Sequence, residues 1–278
     1  MRFLKLLFAG FAICCCMLVC LPMLHAQESK DAKSTVINDG SSVEQVAKDL
    51  ANPLAPITTF ATQVRFEFGN GPDDDTNYQL RLQPSFFKPF ANQSAFLLRT
   101  AIPLRATNWP TKDSGLGDIA LTPYFVPDIT KSTFFGVGGS VILPTASKDP
   151  LGSGRWSAGP AVIFAKVGQP ITWGGLVQHV WSFAGDSDRS YVSMTTVQPF
   201  LTYLLGNGWA STVNAEVGYN WQAVSTERWS IPVGASIGKV VQIGGQYFNI
   251  AGAGIFYAER TAYSPEWEIR INLTYVFK

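Results

Sequence analysis

Catalysis in this chain would have to start from His179, the one histidine outside the first 26 residues. A hydrolase of the cell envelope needs a nucleophile beside such a base. The nearby serine is Ser182, three positions on, and in an extended strand that odd spacing puts the two side chains on opposite faces. Periodicity does not decide which face His179 takes between Gln178 and Trp181, and it reads as a histidine of the framework. The four cysteines, Cys14, Cys15, Cys16 and Cys20, all fall within the first 26 residues. The rest of the chain therefore has no disulfide, thiolate zinc site or cysteine nucleophile. The acidic clusters PDDDTN (72–77) and DSD (186–188) could hold calcium or meet lipopolysaccharide through bridging cations, but three adjacent loop aspartates read first as solvated charge. The glycine clusters GVGGS (136–140) and IGGQ (243–246) lack phosphate-loop spacing and mark close backbone approach or curvature. The expectation is a protein with no catalytic residue, metal or cofactor.

Arginines and glutamates at alternating positions offer a different chemistry. The last thirteen residues, EWEIRINLTYVFK (266–278), put Trp267, Ile269, Ile271, Leu273, Tyr275 and Phe277 on one side and Glu268, Arg270, Asn272 and Thr274 on the other. Such period-two alternation is a strand with one apolar and one polar face. The same pattern puts Arg65, Arg81, Arg99, Arg105 and Arg270 on polar faces, with Glu67, Glu216 and Glu268. If the apolar faces meet lipid, these charges must point inward, since a charge facing lipid at mid-depth costs about 2–4 kcal/mol. Inside, they either pair to brace the barrel or set its selectivity.

Twelve segments carry the pattern: 57–68, 77–87, 95–105, 117–126, 133–144, 155–166, 171–183, 192–205, 209–221, 229–240, 246–257 and 266–277. Strands of this length and dyad alternation are the signature of an outer-membrane barrel. The odd connections, such as ATNWPTKDSG and TASKDPLGSG, are long and charged, whereas even ones, such as VGQP and GNG, are tight. An even-stranded barrel with both termini in the periplasm produces that asymmetry. Trp156, Trp181, Trp221, Trp229 and Trp267 sit near outer strand ends, and Trp173 and Trp209 near inner ends, as two interfacial belts require. Pro84, Pro103, Pro123, Pro144, Pro160, Pro199 and Pro232 fall in or beside strands, where each removes a ladder donor. Bulges and strand ends are one reading, and a lateral kink for a hydrophobic solute the sharper one.

Residues 1–26 have the layout of a secretory signal: Arg2 and Lys5, an apolar run from Leu6 to Leu24, and Ala26 before the cleavage point. Their removal leaves 19 basic against 20 acidic side chains, with no basic excess for nucleic acid. Residues 27–56 are polar, and SSVEQVAKDLANP has a capping box and helical apolar spacing ended by Pro53. It reads as a short amphipathic helix on the periplasmic side, with a plug inside the lumen as the alternative. No later stretch offers about twenty uninterrupted apolar residues for a helical span.

Several blocks occur in order: NPLAPITTFATQ (52–63), LQPSF (82–86), GLGDI (115–119), LPTASKDPLGSGRWSAGP (143–160), GGLVQHVWSFAGD (174–186), VQPFLTY (197–203), WSIPVG (229–234) and FYAE (256–259). Together they resemble the bacterial outer-membrane family labelled "MetA-pathway of phenol degradation", whose members are also called transporters. The resemblance implies a barrel that moves small solutes and tilts them towards aromatic or hydrophobic compounds. It brings no catalytic motif. One departure is that Lys278 follows Phe277, whereas assembly signals commonly finish on an aromatic residue.

The combined expectation is an all-β, twelve-stranded antiparallel outer-membrane barrel over 57–278, behind the signal (1–26) and the helical segment (27–56). It would pass small solutes by diffusion in a Gram-negative outer membrane. Its partners would be lipid, lipopolysaccharide and the barrel assembly machinery. A structural or ligand-binding barrel with a blocked lumen is the alternative.

Overall fold

The computed structural model describes residues 42–53 and 55–277. The signal segment, the stretch up to Ser41 and Lys278 lie outside them. Alternation folds as the sequence requires. In the last strand Trp267, Ile269 and Ile271 are exposed while Glu268 and Arg270 are buried.

Fifteen strand segments form one antiparallel sheet: β1 (Thr59–Asn70), β2 (Asp75–Pro89), β3 (Ala95–Thr107), β4 (Asp113–Leu116), β5 (Ile119–Val126), β6 (Thr133–Leu143), β7 (Arg155–Lys166), β8 (Ile171–Gly185), β9 (Ser193–Gly206), β10 (Trp209–Ala215), β11 (Val217–Asn220), β12 (Trp229–Ser230), β13 (Pro232–Ile243), β14 (Gln246–Tyr257) and β15 (Trp267–Val276). β4 with β5, β10 with β11, and β12 with β13 are halves of single staves, so the barrel has twelve. It closes where β15 pairs with β1, from Thr59 opposite Val276 to Phe68 opposite Trp267. Closure leaves no open sheet edge, which long apolar strands would otherwise present. The outward row, including Phe135, Val177, Val213, Ile237, Ile250 and Ile271, stays exposed.

Prolines explain why three staves are split. Pro103 has no N–H to give β4 or β5, and its carbonyl instead accepts from Gly117 N at 2.8 Å. β9 pairs with β11 through Val197 and with β10 from Phe200, leaving Gln198 and Pro199 unpaired opposite Ala215 and Glu216. Pro232 opens β13 after the break at Ile231, and its carbonyl accepts from Glu216 N. Around Pro123 and Pro160 the ladders skip positions without breaking. Pro84 lies where β2–β3 pairing jumps from Leu82 to Ser85, and Pro144 directly follows β6. All seven prolines thus occupy irregularities or strand ends. Glycine admits the close approaches this forces: a Cβ on Gly138 would lie 1.9 Å from the Pro123 carbonyl oxygen.

One end of the barrel carries the described termini and the short turns, including Asn207–Gly208 and Gly244–Gly245, both with positive φ at each residue. These are two-residue hairpins of the kind that matches strand twist. The opposite end carries most of the longer connections, among them 144–154 and 258–266. We refer to the terminal end and the loop end.

Helix α1 (Val43–Ala51) starts at Ser42, whose Oγ accepts from Gln45 N at 3.2 Å. It does not stand clear of the barrel. Val46 and Ala47, with Ala55 and Ile57 after the helix, pack on Val240, Tyr247 and Val276. The register makes those three wall residues inward-facing at the terminal end. Of the two placements open to an amphipathic helix there, the structure shows the one inside the mouth. Gly208 permits the docking: it has φ +78°, a Cβ there would lie 2.4 Å from Val43 Cγ1, and its N–H donates to Glu44.

Candidate functional site

The inward polar residues divide into a tied group and a free group. The tied group lies on the closing seam. Register alone sets like charges opposite each other, Arg65 against Arg270 and Glu67 against Glu268. Diagonal contacts resolve the conflict. Arg65 donates through Nε and Nη2 to both oxygens of Glu268, at 3.0 and 2.7 Å, and through Nη1 to Gln79 at 3.0 Å. Arg270 Nε donates to the same carboxylate at 2.7 Å, and the Tyr257 hydroxyl donates to it from β14. Glu67 completes the group 3.6 Å from Arg65. Glu268 is wholly buried, so this fork geometry supplies the compensation a buried charge demands. The cluster joins four consecutive staves and braces the seam.

The free group is Arg81, Arg99 and Arg105, on β2 and β3. Among the described residues none of the three has a hydrogen bond or ion pair, and Arg81 Nε is buried without a partner. Glu216 acts on Arg65, Arg81 and Arg99 electrostatically from the far side of the barrel, while it accepts from Gln198 Nε2 at 3.3 Å. Glu67 and Asp118 act likewise on Arg105, so the arginine-rich wall feels several carboxylates but pairs directly with none among the described residues.

Nearer the terminal end the interior turns apolar. Phe87, Leu97, Tyr124, Val126, Phe134 and Ile163 form a buried inward cluster, with Leu176 and Phe200 against it. Between this wall and the chain leaving α1 lies a cavity of about 170 Å³ that reaches Arg99, Gln83 and Ser85. A smaller one, of about 90 Å³, separates α1 from Thr212, Ser236 and Asn249.

His179 faces outward. Its Nδ1 is 2.8 Å from Thr195 Oγ1, which also accepts from Trp221 Nε1 at 2.9 Å, and its ring lies beside Trp181 and Trp221. Ser182 is on the inward face and bonds Val192 N through its hydroxyl, so no catalytic pair forms. Trp156, Trp181, Trp229 and Trp267 are exposed at the loop-end portions of their strands, Trp221 in the turn just after β11, and Trp173 and Trp209 at the terminal end. Asp73 and Asp74 lie in the turn between β1 and β2, and Asp188 N bonds Asp186 in a local turn. Among the described residues no group of three or more His, Cys, Asp or Glu side chains could hold a metal ion.

Tyr257 and the inward apolar cluster are the parts of the interior that charge patterning misses. β14 alternates Ala and Gly with Phe and Ile, so neither face declares itself and Tyr257 looks like one more aromatic end residue. Only the partner register, Ile255 opposite Glu268, turns it inward.

No protein-family model and no curated protein matches the chain. Solved structures share the fold. A crystal structure of an outer membrane channel from Pseudomonas putida F1 superposes with a TM-score of 0.61 at 13% identity, covering 80% of this chain and 96% of that one. That channel is of the family the sequence blocks resemble. The NanC porin superposes with a TM-score of 0.52 at 10% identity, covering 79% and 99%.

Proposed function

We propose that the chain is an outer-membrane channel of a Gram-negative bacterium that passes small solutes by diffusion and favours anions. The observation that carries this reading is the arginine wall: Arg81, Arg99 and Arg105 face the interior with no ion pair to neutralise them. Guanidinium rows in a narrow lumen with low-dielectric walls attract anions, and the field is amplified by the confinement. The exposed apolar row supports a lipid-facing exterior, and the two groups of tryptophans support belts at headgroup level. The terminal end, with its tight turns, is then periplasmic. Lipid, lipopolysaccharide and the assembly machinery are the partners that follow. The fold shared with an outer membrane channel and a porin supports the class, and the sequence resemblance tilts the solute towards small aromatic or hydrophobic compounds.

The second reading, a ligand-binding or structural barrel with a blocked lumen, is favoured by one feature, the docking of α1 inside the terminal mouth. Planar-bilayer recording of the refolded protein separates the two. A channel gives discrete conductance steps and a reversal potential displaced towards the anion under a salt gradient. Correctly folded protein with no conductance and no solute uptake into liposomes would leave the blocked barrel.

A further inference from the structure

We infer that the cavity between the α1 exit and the β1–β3 wall is a binding site for a small monocarboxylate bearing one ring or a short alkyl chain. Its polar side is built by register. Ser85 stands directly opposite Arg99 across β2 and β3, and Gln83 is the next inward residue along β2. Adjacent partners of this kind lie within about 5.5 Å, close enough to act on one ligand group. Among the described residues the Arg99, Ser85 and Gln83 side chains make no hydrogen bond or ion pair, so a guanidinium, a hydroxyl and an amide converge with their capacity unspent. A carboxylate matches that set, because guanidinium donates to it in two parallel bonds while hydroxyl and amide donors serve its remaining lone pairs.

The other side is apolar. Leu97, Ala55 and Ile57 are buried beside the cavity, and Leu50 reaches it from the helix. No acidic side chain lines the space, so nothing there competes for Arg99. A volume of about 170 Å³ is the size that holds one six-membered ring, since an apolar cavity of about 150 Å³ takes up benzene. Because Leu50, Asn52 and Pro53 form part of the lining, the site exists only while α1 is docked.

This deepens the proposed passage of small anions and takes its physiological sense from that reading, but the site is tested by equilibrium binding, which needs no conduction. Titration calorimetry of the full chain in detergent would use benzoate and its neutral isostere benzamide. Benzoate should bind about tenfold or more tightly than benzamide, the increment of a charge-assisted hydrogen-bonded contact. Arg99→Gln, with heat-modifiable migration in detergent gels to show that it folds, should bring benzoate to the level of benzamide. Equal binding of benzoate and benzamide by the wild type overturns the site. So does a loss on Arg105→Gln as large as on Arg99→Gln, since attraction would then belong to the general field. If Arg99→Gln fails to fold, Ser85→Ala decides: weaker benzoate binding upholds the site, and unchanged binding refutes it. Anion conductance without benzoate binding refutes the site and leaves the channel. Benzoate binding without conductance does the reverse.

Discussion

Glu268 is the residue on which the closing seam depends most. It accepts from Arg65, Arg270 and Tyr257 while wholly buried. Removing its charge leaves two guanidinium groups without their carboxylate, a defect that costs about 3–5 kcal/mol when a buried pair is broken. Glu268→Gln should therefore lower the temperature at which the folded, fast-migrating gel form is lost, while Glu216→Gln, at a half-exposed site with one weak bond, should lower it far less. A second residue-scale test uses the strand faces. Ile271→Arg puts a charge into lipid near mid-strand, at about 2–4 kcal/mol, whereas Asn272→Arg points inward and should leave assembly nearly intact. Equal defects in folded yield would mean that the register is misplaced. Arg65, Glu67, Glu268 and Arg270 stand out in the sequence because each sits in a strand with clear contrast between its faces, whereas Glu216 lies at the break between β10 and β11. His179 was not, because its neighbours Gln178 and Trp181 lie three apart, and a polar residue hydrogen-bonded to Thr195 can occupy the outer face near headgroup level.

Elements explain what period-two counting does not. The twelve staves could be read directly from alternation, but their breaks come from proline and needed the pairing partner: Pro103 splits the neighbouring stave, not its own. Helix α1 could be read from its cap and apolar spacing, yet an amphipathic helix does not say what covers its apolar face. The covering surface consists of Val240, Tyr247 and Val276, far away in sequence. Docking there also takes Asp49 partly out of water, and that burial raises its carboxyl above the ordinary value, against smaller opposing effects of Gln45 and Lys48. The sign follows from linkage. With the docked value above the free one, the docked helix binds more protons, so docking strengthens as pH falls through the carboxylate range and weakens as it rises. Conductance should therefore be lower at about pH 4 than at about pH 7. Asp49→Asn should remove that part of the difference, and deletion of residues 42–53 should raise conductance at both values. A deletion that leaves conductance unchanged would show that the helix does not obstruct the path.

At the scale of the whole molecule the question is how an almost neutral chain carries a directional field. The sequence beyond residue 26 balances 19 basic against 20 acidic residues, so composition predicts no preference of sign. Closure creates the preference by sorting. Arg65, Arg81, Arg99, Arg105 and Arg270 share the interior with Glu67, Glu216 and Glu268, and Glu67 and Glu268 are bound to the seam arginines, while Asp73, Asp74, Asp186 and Asp188 sit in loop-end connections. Charges in loops are screened within about 8 Å at physiological ionic strength, whereas those inside the low-dielectric wall are not. The interior therefore controls selectivity. Changing Arg81 and Arg99 together to glutamine should move the reversal potential towards cations under a salt gradient, and raising the salt should shrink the difference between variant and wild type. Lys239→Gln makes the same kind of charge change on the outer face, where the ammonium lies 5.1 Å from the Trp209 ring centroid, and should leave the potential where it was. All three chains should still show the gel shift of a closed barrel, because none of these side chains joins the seam cluster. If Lys239→Gln moved the potential as far as the double variant, selectivity would reflect total charge, and the arginine wall would lose its role.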